Sequence, residues 1–181
     1  MTKKLLVFSK AKVNRDIKEL VLYVNPKLNF APTHQDRFAV ELEMENYNKT
    51  ELFNFVAKGF AVNISDEEER TIENLGQLIN LVWKRHIEPV NKLIIKKFGI
   101  AVLEHSNGRV EPGEINLQTA LVDLNLGNPN GQLNSGMIIR VDVIHDLEDF
   151  FEIRITEEEI LGFQKVAEVI ETVRKKLIKK N

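Results

Sequence analysis

The 181-residue chain contains no cysteine, which excludes disulfides, thiolate metal ligands and a cysteine nucleophile. It has one tryptophan, five prolines and nine glycines, too few for a collagen-like or low-complexity chain. No apolar run approaches the length of a membrane-spanning helix. The opening stretch, Met1 to Ser9, has too short an apolar run for a secretory signal. A cytoplasmic protein is therefore expected. Neither sign of charge dominates. The 25 basic and 27 acidic residues give a net charge of −2, which argues against non-specific nucleic-acid binding. Strict apolar–polar alternation is scarce, so a large sheet is not expected. What is present is 43% hydrophobic and 29% charged residues, a balance that supports a buried core.

Apolar residues recur at helical spacing. Residues 15–24 align Ile17, Leu20, Val21 and Val24, and residues 48–59 carry Leu52, Phe53, Phe55 and Val56. Ser65 and Glu68 have the spacing of a capping box that opens a short helix. A helix from Asn74 to Arg85 places Leu75, Leu78, Ile79 and Val82 inward. Pro89 suits the first residue of a following helix, over 89–98. Six of the nine glycines then fall between 99 and 136, and Gly127-Asn-Pro-Asn-Gly131 is a turn signal, so 99–136 reads as loop. Further helices are predicted over 138–150 and 165–178, with a second capping box at Thr156 and Glu159 between them.

The halves repeat. A shift of 91 positions, without gaps, lays Leu52 on Val143, Val56 on Leu147, Phe60 on Phe151 and Ile64 on Ile155. The same shift lays the Ser65 box on the Thr156 box, and Leu75, Leu78 and Ile79 on Val166, Val169 and Ile170. The helix at 15–24 matches 89–98 with a shift of about 73, which implies some 18 extra residues in the second half's first loop.

The repeated unit resembles an acyl carrier protein, the four-helix domain that bears a phosphopantetheine arm. Phe38-Ala-Val-Glu-Leu42-Glu-Met-Glu-Asn46-Tyr47 resembles the carrier Phe-x-x-Asp-Leu-Gly-x-Asp-Ser-Leu. Phe60-Ala-Val-Asn-Ile64-Ser-Asp-Glu-Glu68 resembles the stretch that leads into the carrier's third helix, and Asn74-Leu-Gly76-Gln resembles the start of its fourth. The resemblance implies an all-α fold of two tandem four-helix modules, over 12–86 and 88–178. It also implies that the arm-bearing serine belongs at the start of each module's second helix. Asn46 stands there in the first half, and a carboxamide cannot carry the phosphodiester. The 91-residue shift places Met137 there in the second half, also without a hydroxyl. Ser135 lies two residues upstream. If Gly127 to Leu133 is an insertion, Asn134-Ser135 takes the place of the carrier's Asp-Ser, after a Thr119-Ala-Leu121-Val-Asp123-Leu124 stretch of carrier type. Ser135 also suits a helix cap.

Carriers meet their partners through acidic second- and third-helix surfaces. Residues 41–73 hold nine acidic and three basic residues, and 132–164 hold eight and two, a net −6 in each. Glu43, Glu45 and Glu51, with Asp142, Asp146 and Asp149, are the candidate partner-binding residues. The histidines, His34, His86, His105 and His145, share no metal-ligand spacing, and no metal site, phosphate loop or catalytic triad is recognisable. His145 reads as a surface residue rather than a catalytic base. The phenylalanines and Trp83 fall mostly at apolar positions and read as core rather than base-stacking platforms.

The reading is a non-enzymatic adaptor without the arm, binding a basic surface on an enzyme or assembly that handles acyl carriers. The alternative is a working acyl or peptidyl carrier with 4'-phosphopantetheine on Ser135.

Overall fold

The computed structural model describes residues 7–105, 115–124, 126 and 135–180. Among these the protein is all-α, with seven helices and no strand. They are α1 (Lys10–Val24), α2 (Asn46–Phe60), α3 (Asp66–Thr71), α4 (Leu75–His105), α5 (Ser135–Phe151), α6 (Glu157–Gly162) and α7 (Val166–Lys180). The turn signal at 127–131, the insertion at 127–133 and Asn134 lie outside the described residues. No helix among the described residues is long and apolar enough to cross a membrane.

The chain divides into two compact units. The first is Phe8–Glu88; the second is built from Pro89 onward, with Val7. In the first unit Val13, Ile17 and Val21 of α1 are buried with Leu52, Val56 and Phe60 of α2 and Leu75, Leu78, Ile79 and Val82 of α4. Phe38, Leu42 and Ile72 fill the same core from the connections. In the second unit Ile94, Phe98 and Val102 of α4, Val143, Ile144 and Leu147 of α5, and Val166, Val169, Ile170 and Val173 of α7 are buried.

α1 begins five residues before the apolar pattern predicts. Ser9 is its N-cap, its Oγ accepting the Lys12 N–H at 3.0 Å. Both predicted capping boxes are present. Ser65 and Glu68 open α3, and Thr156 and Glu159 open α6, each pair exchanging side-chain and backbone bonds.

The segment before α2 is tied to the entrance of α4. Phe38 N–H donates to Glu73 O at 3.0 Å, Leu75 N–H to Asp36 O at 3.1 Å and Gly76 N–H to His34 O at 2.8 Å. Leu75 and Gly76 are the first residues of α4, whose N–H groups have no partner within the helix. The second unit repeats this bond for bond. Leu121 N–H donates to Gln164 O at 2.8 Å, Val166 N–H to Thr119 O at 3.0 Å and Ala167 N–H to Leu117 O at 3.0 Å. The ends of α2 and α5 match too. Ala61 and Glu152 both take left-handed φ, 52° and 50°. Val62 N–H then reaches back to Ala57 O, and Ile153 N–H to Glu148 O, both at 3.0 Å.

Three expectations are corrected. Pro89 is not the first residue of a new helix but lies inside α4, which runs on to His105. Proline withdraws the bond to the Arg85 carbonyl, yet buried Ile87, Val90, Ile94 and Phe98 keep helical phase past it. The loop region accordingly does not begin at 99. The shift of 73 between the first helices is one turn out. Buried Val13, Ile17, Val21 and Val24 correspond to buried Val90, Ile94, Phe98 and Ala101, a shift of 77. An apolar stripe slides by four residues onto itself, so periodicity alone does not separate these registers. The second half therefore carries 14 extra residues rather than 18 between its first helix and α5, entered in two steps: the shift is 83 between Asp36 and Thr119, and 91 from α5.

Two substitutions at these joints are expected to act in opposite directions. Ala61→Gly relieves the left-handed backbone and is expected to raise unfolding free energy by about 0.5–1 kcal/mol in urea denaturation. A Cβ at Gly76 would stand 2.8 Å from the His34 carbonyl oxygen. Gly76→Ala is expected to lower stability by about 1–2 kcal/mol, since backbone must move to admit it.

Candidate functional site

The candidate site is the start of α2 and of α5, with the surface each shares with the short helix that follows. Glu45 is the N-cap of α2 and makes no side-chain capping bond. Asn46 opens the helix and is exposed, and Tyr47 beside it is 74% exposed. Leu42 and Met44 are buried while Glu43 and Glu45 point outward, and Glu43 takes φ 46° to make the turn. Glu51 is half-buried. Thr50 Oγ1 donates to Glu69 Oε1 at 2.5 Å and links α2 to α3.

In the second unit Ser135 is the first residue of α5. Met137 is the third residue and is buried, so it does not take the exposed place that Asn46 holds. The buried faces of α2 and α5 align with the 91-residue shift, but α5 has two more residues at its start. Counted by core register, Met137 matches Asn46; counted by helix start, Ser135 does. Ile138, the counterpart of Tyr47, is 62% exposed.

Between α5 and α6 lies a groove of about 400 Å³. Met137, Ile138, Val141, Ile155, Ile160 and Leu161 supply its apolar surface, with Asp142, His145 and Glu157 among its lining. Ile138 and Leu161, 62% and 49% exposed, leave apolar surface open to water.

The predicted acidic residues differ in their partners. Asp146 has a partner of its own, His105, whose Nε2 lies 2.8 Å from its Oδ2. Asp142 is half-buried at the groove, and Asp149 is exposed. His145 lies 3.8 Å from Glu148, a buried carboxylate whose Oε1 accepts the Ile155 N–H at 2.6 Å. Phe150 is not core. It is 47% exposed, with Lys97 Nζ 3.8 Å from its ring centre.

The acidic helices α3 and α6 are each tied to a cation. Arg85 pairs with Glu68 in the first unit, and Lys176 with Glu159 at 2.7 Å in the second. The Ser65 backbone N–H, aided by Arg85, holds the Glu68 carboxyl below the usual range. For Glu159 the Lys176 bond is the larger cause, followed by the Thr156 backbone.

Sequence reasoning missed Arg140. It is 5% exposed and faces the core side of α5. Its Nε donates to Leu126 O at 2.5 Å and its Nη1 to Ile160 O at 3.2 Å, which fastens the segment before α5 and the end of α6 to one side chain. Burial draws the guanidinium down from its ordinary range. The signal was available: Arg140 falls three residues after Met137 and three before Val143, on the apolar stripe. The 91-residue counterpart, Lys49, instead lies 5.6 Å from the Phe38 and Phe53 ring centres.

Among the described residues no three His, Asp or Glu side chains gather as a metal site. No protein-family model, curated protein or solved structure matches the chain.

Removing Arg140 strips donors from two buried carbonyls. Arg140→Met is expected to cost ~2–3 kcal/mol, read by chemical denaturation, since charge-assisted bonds of this kind are worth more than neutral ones. Lys49→Met, which loses only contact with two rings, is expected to cost less than about 1 kcal/mol.

Proposed function

We propose that the protein is a non-enzymatic binding adaptor made of two tandem carrier-like four-helix modules without a phosphopantetheine arm. Its acidic second- and third-helix faces recognise a basic surface on an enzyme or assembly that handles acyl carriers. The observation that carries this reading is the exposed apolar residue beside each helix start, Tyr47 and Ile138, set in a strongly acidic segment. Apolar surface supplies affinity on docking, and surrounding carboxylates steer a basic partner and set its orientation. The groove between α5 and α6 gives the second module a concave seat that a partner side chain fills. The bond-for-bond recurrence of the joints supports the tandem arrangement. Asn46 supports the missing arm in the first module, because its amide offers no hydroxyl for the diester.

Charge reversal tests the faces. Glu43, Glu45 and Glu51 are changed to Lys together in one variant, and Asp142, Asp146 and Asp149 in another, because surface charges are singly worth on the order of 0–1 kcal/mol. Against the partner purified from the source cells, each triple is expected to slow association about tenfold at low salt. Moderate salt is expected to narrow the difference. Wild-type association rates in both triples, unaffected by salt, would remove the basis of the adaptor reading.

A second reading has one specific observation in its favour: Ser135 opens α5, where a carrier serine stands. On that reading the second module is a working carrier with 4'-phosphopantetheine on Ser135. Incubation with a phosphopantetheinyl transferase and coenzyme A decides between them by intact mass. The adaptor keeps its mass. A gain of one phosphopantetheine, abolished by Ser135→Ala, replaces the adaptor reading with the carrier reading.

A further inference from the structure

One contact in the first unit makes no use of the docking faces and depends on the protonation of a histidine. The backbone N–H of Phe8 donates to His86 Nε2 at 3.0 Å. Since the amide is the donor, that ring nitrogen bears no proton. The two rings also stack, with centroids 4.9 Å apart and planes 12° from parallel. Phe8 in turn meets Phe60 of α2 edge-on at 6.1 Å. One residue later Ser9 caps α1. His86 is thus the acceptor that holds the chain's entry into α1 against α2 and α4.

We propose that Phe8 and His86 form a proton-sensitive clasp: protonation of His86 releases Phe8 and frays the start of α1. The imidazolium donates from both nitrogens and has no acceptor for the amide, so the closed geometry sets two N–H groups against each other. Release also uncovers Phe60, which lines with Phe8 the cleft between α1 and α2.

The charges around the stack leave this logic intact. From α1, Lys12 lies over the Phe8 ring at 5.3 Å and is itself paired with Asp16 at 2.7 Å. α2 ends with Lys58 in its last turn, two residues before Phe60. On α4, Arg85 precedes His86 and is bound to Glu68 of α3, and Glu88 follows two residues on. Burial pushes the His86 imidazole below its ordinary range. The sign follows from that depression. The clasp is fully closed above the ordinary histidine pKa of about 6.5, and it weakens as pH falls from there toward the lower value of the closed state. The opening constant rises by at most about tenfold per pH unit in that window, the slope set by one proton.

The test is carried out on the full isotope-labelled chain. Hydrogen exchange of the Phe8 amide, corrected for its intrinsic rate at each pH, is followed by NMR from pH 8 to pH 5 with the His86 ring resonances. Phe8 protection is expected to fall as His86 titrates. His86→Gln offers no titrating group and is expected to give a pH-independent profile, at whatever level of protection. The clasp is overturned if wild-type protection does not change with pH. It is overturned equally if His86→Gln keeps the wild-type pH response, or if neutral His86 carries its proton on Nε2.

Discussion

The arrangement of each unit turns on how the first N–H groups of its last helix are satisfied. α4 and α7 begin without a side-chain bond to their first two amides, and carbonyls of the segment before α2 or α5 accept those bonds instead. A helix end left unpaired inside a core is costly, so the segment cannot drift. Its position then fixes which of its side chains go inward. Phe38 and Leu42 in one unit, and Leu121 and Leu124 in the other, fill the core. The intervening exposed positions carry Val40, Glu41, Val122 and Asp123. The surface beside the starts of α2 and α5 is in that sense a by-product of capping α4 and α7.

The same joint explains how the two units differ without losing their packing. Ala167 accepts a Cβ where Gly76 does not, and its bond to the loop carbonyl is 3.0 Å rather than 2.8 Å. Arg140 binds carbonyls where Lys49 lies over rings. Counted along the sequence, extra residues enter on either side of the joint and none within it, so the buried helix faces keep register.

Much of this was legible in the sequence, and the misses have physical causes. The apolar stripes and the two capping boxes locate the helices because burial and orphan donors leave local marks. The end of the first half's last helix did not show, because proline at position 89 is a strong local signal and the packing that carries the helix through it is not local. The register of the first helix slipped by a turn for want of any feature finer than the stripe. The groove between α5 and α6 was illegible for another reason: its walls come from two helices, and only the fold brings Ile138 beside Leu161. Asp146 looked like part of an open acidic face because its partner, His105, is 41 residues away in sequence. The clasp between Phe8 and His86 spans 78 residues and left no motif at all.

The corrected register of the first helices brings one more pair into line. A shift of 77 places Asn14 on Asn91, and the side-chain oxygen of each is shielded from solvent with no hydrogen-bond partner among the described residues. An amide oxygen that loses water on folding and gains no partner costs its helix free energy, so the two positions are matching weak points on otherwise well-packed faces.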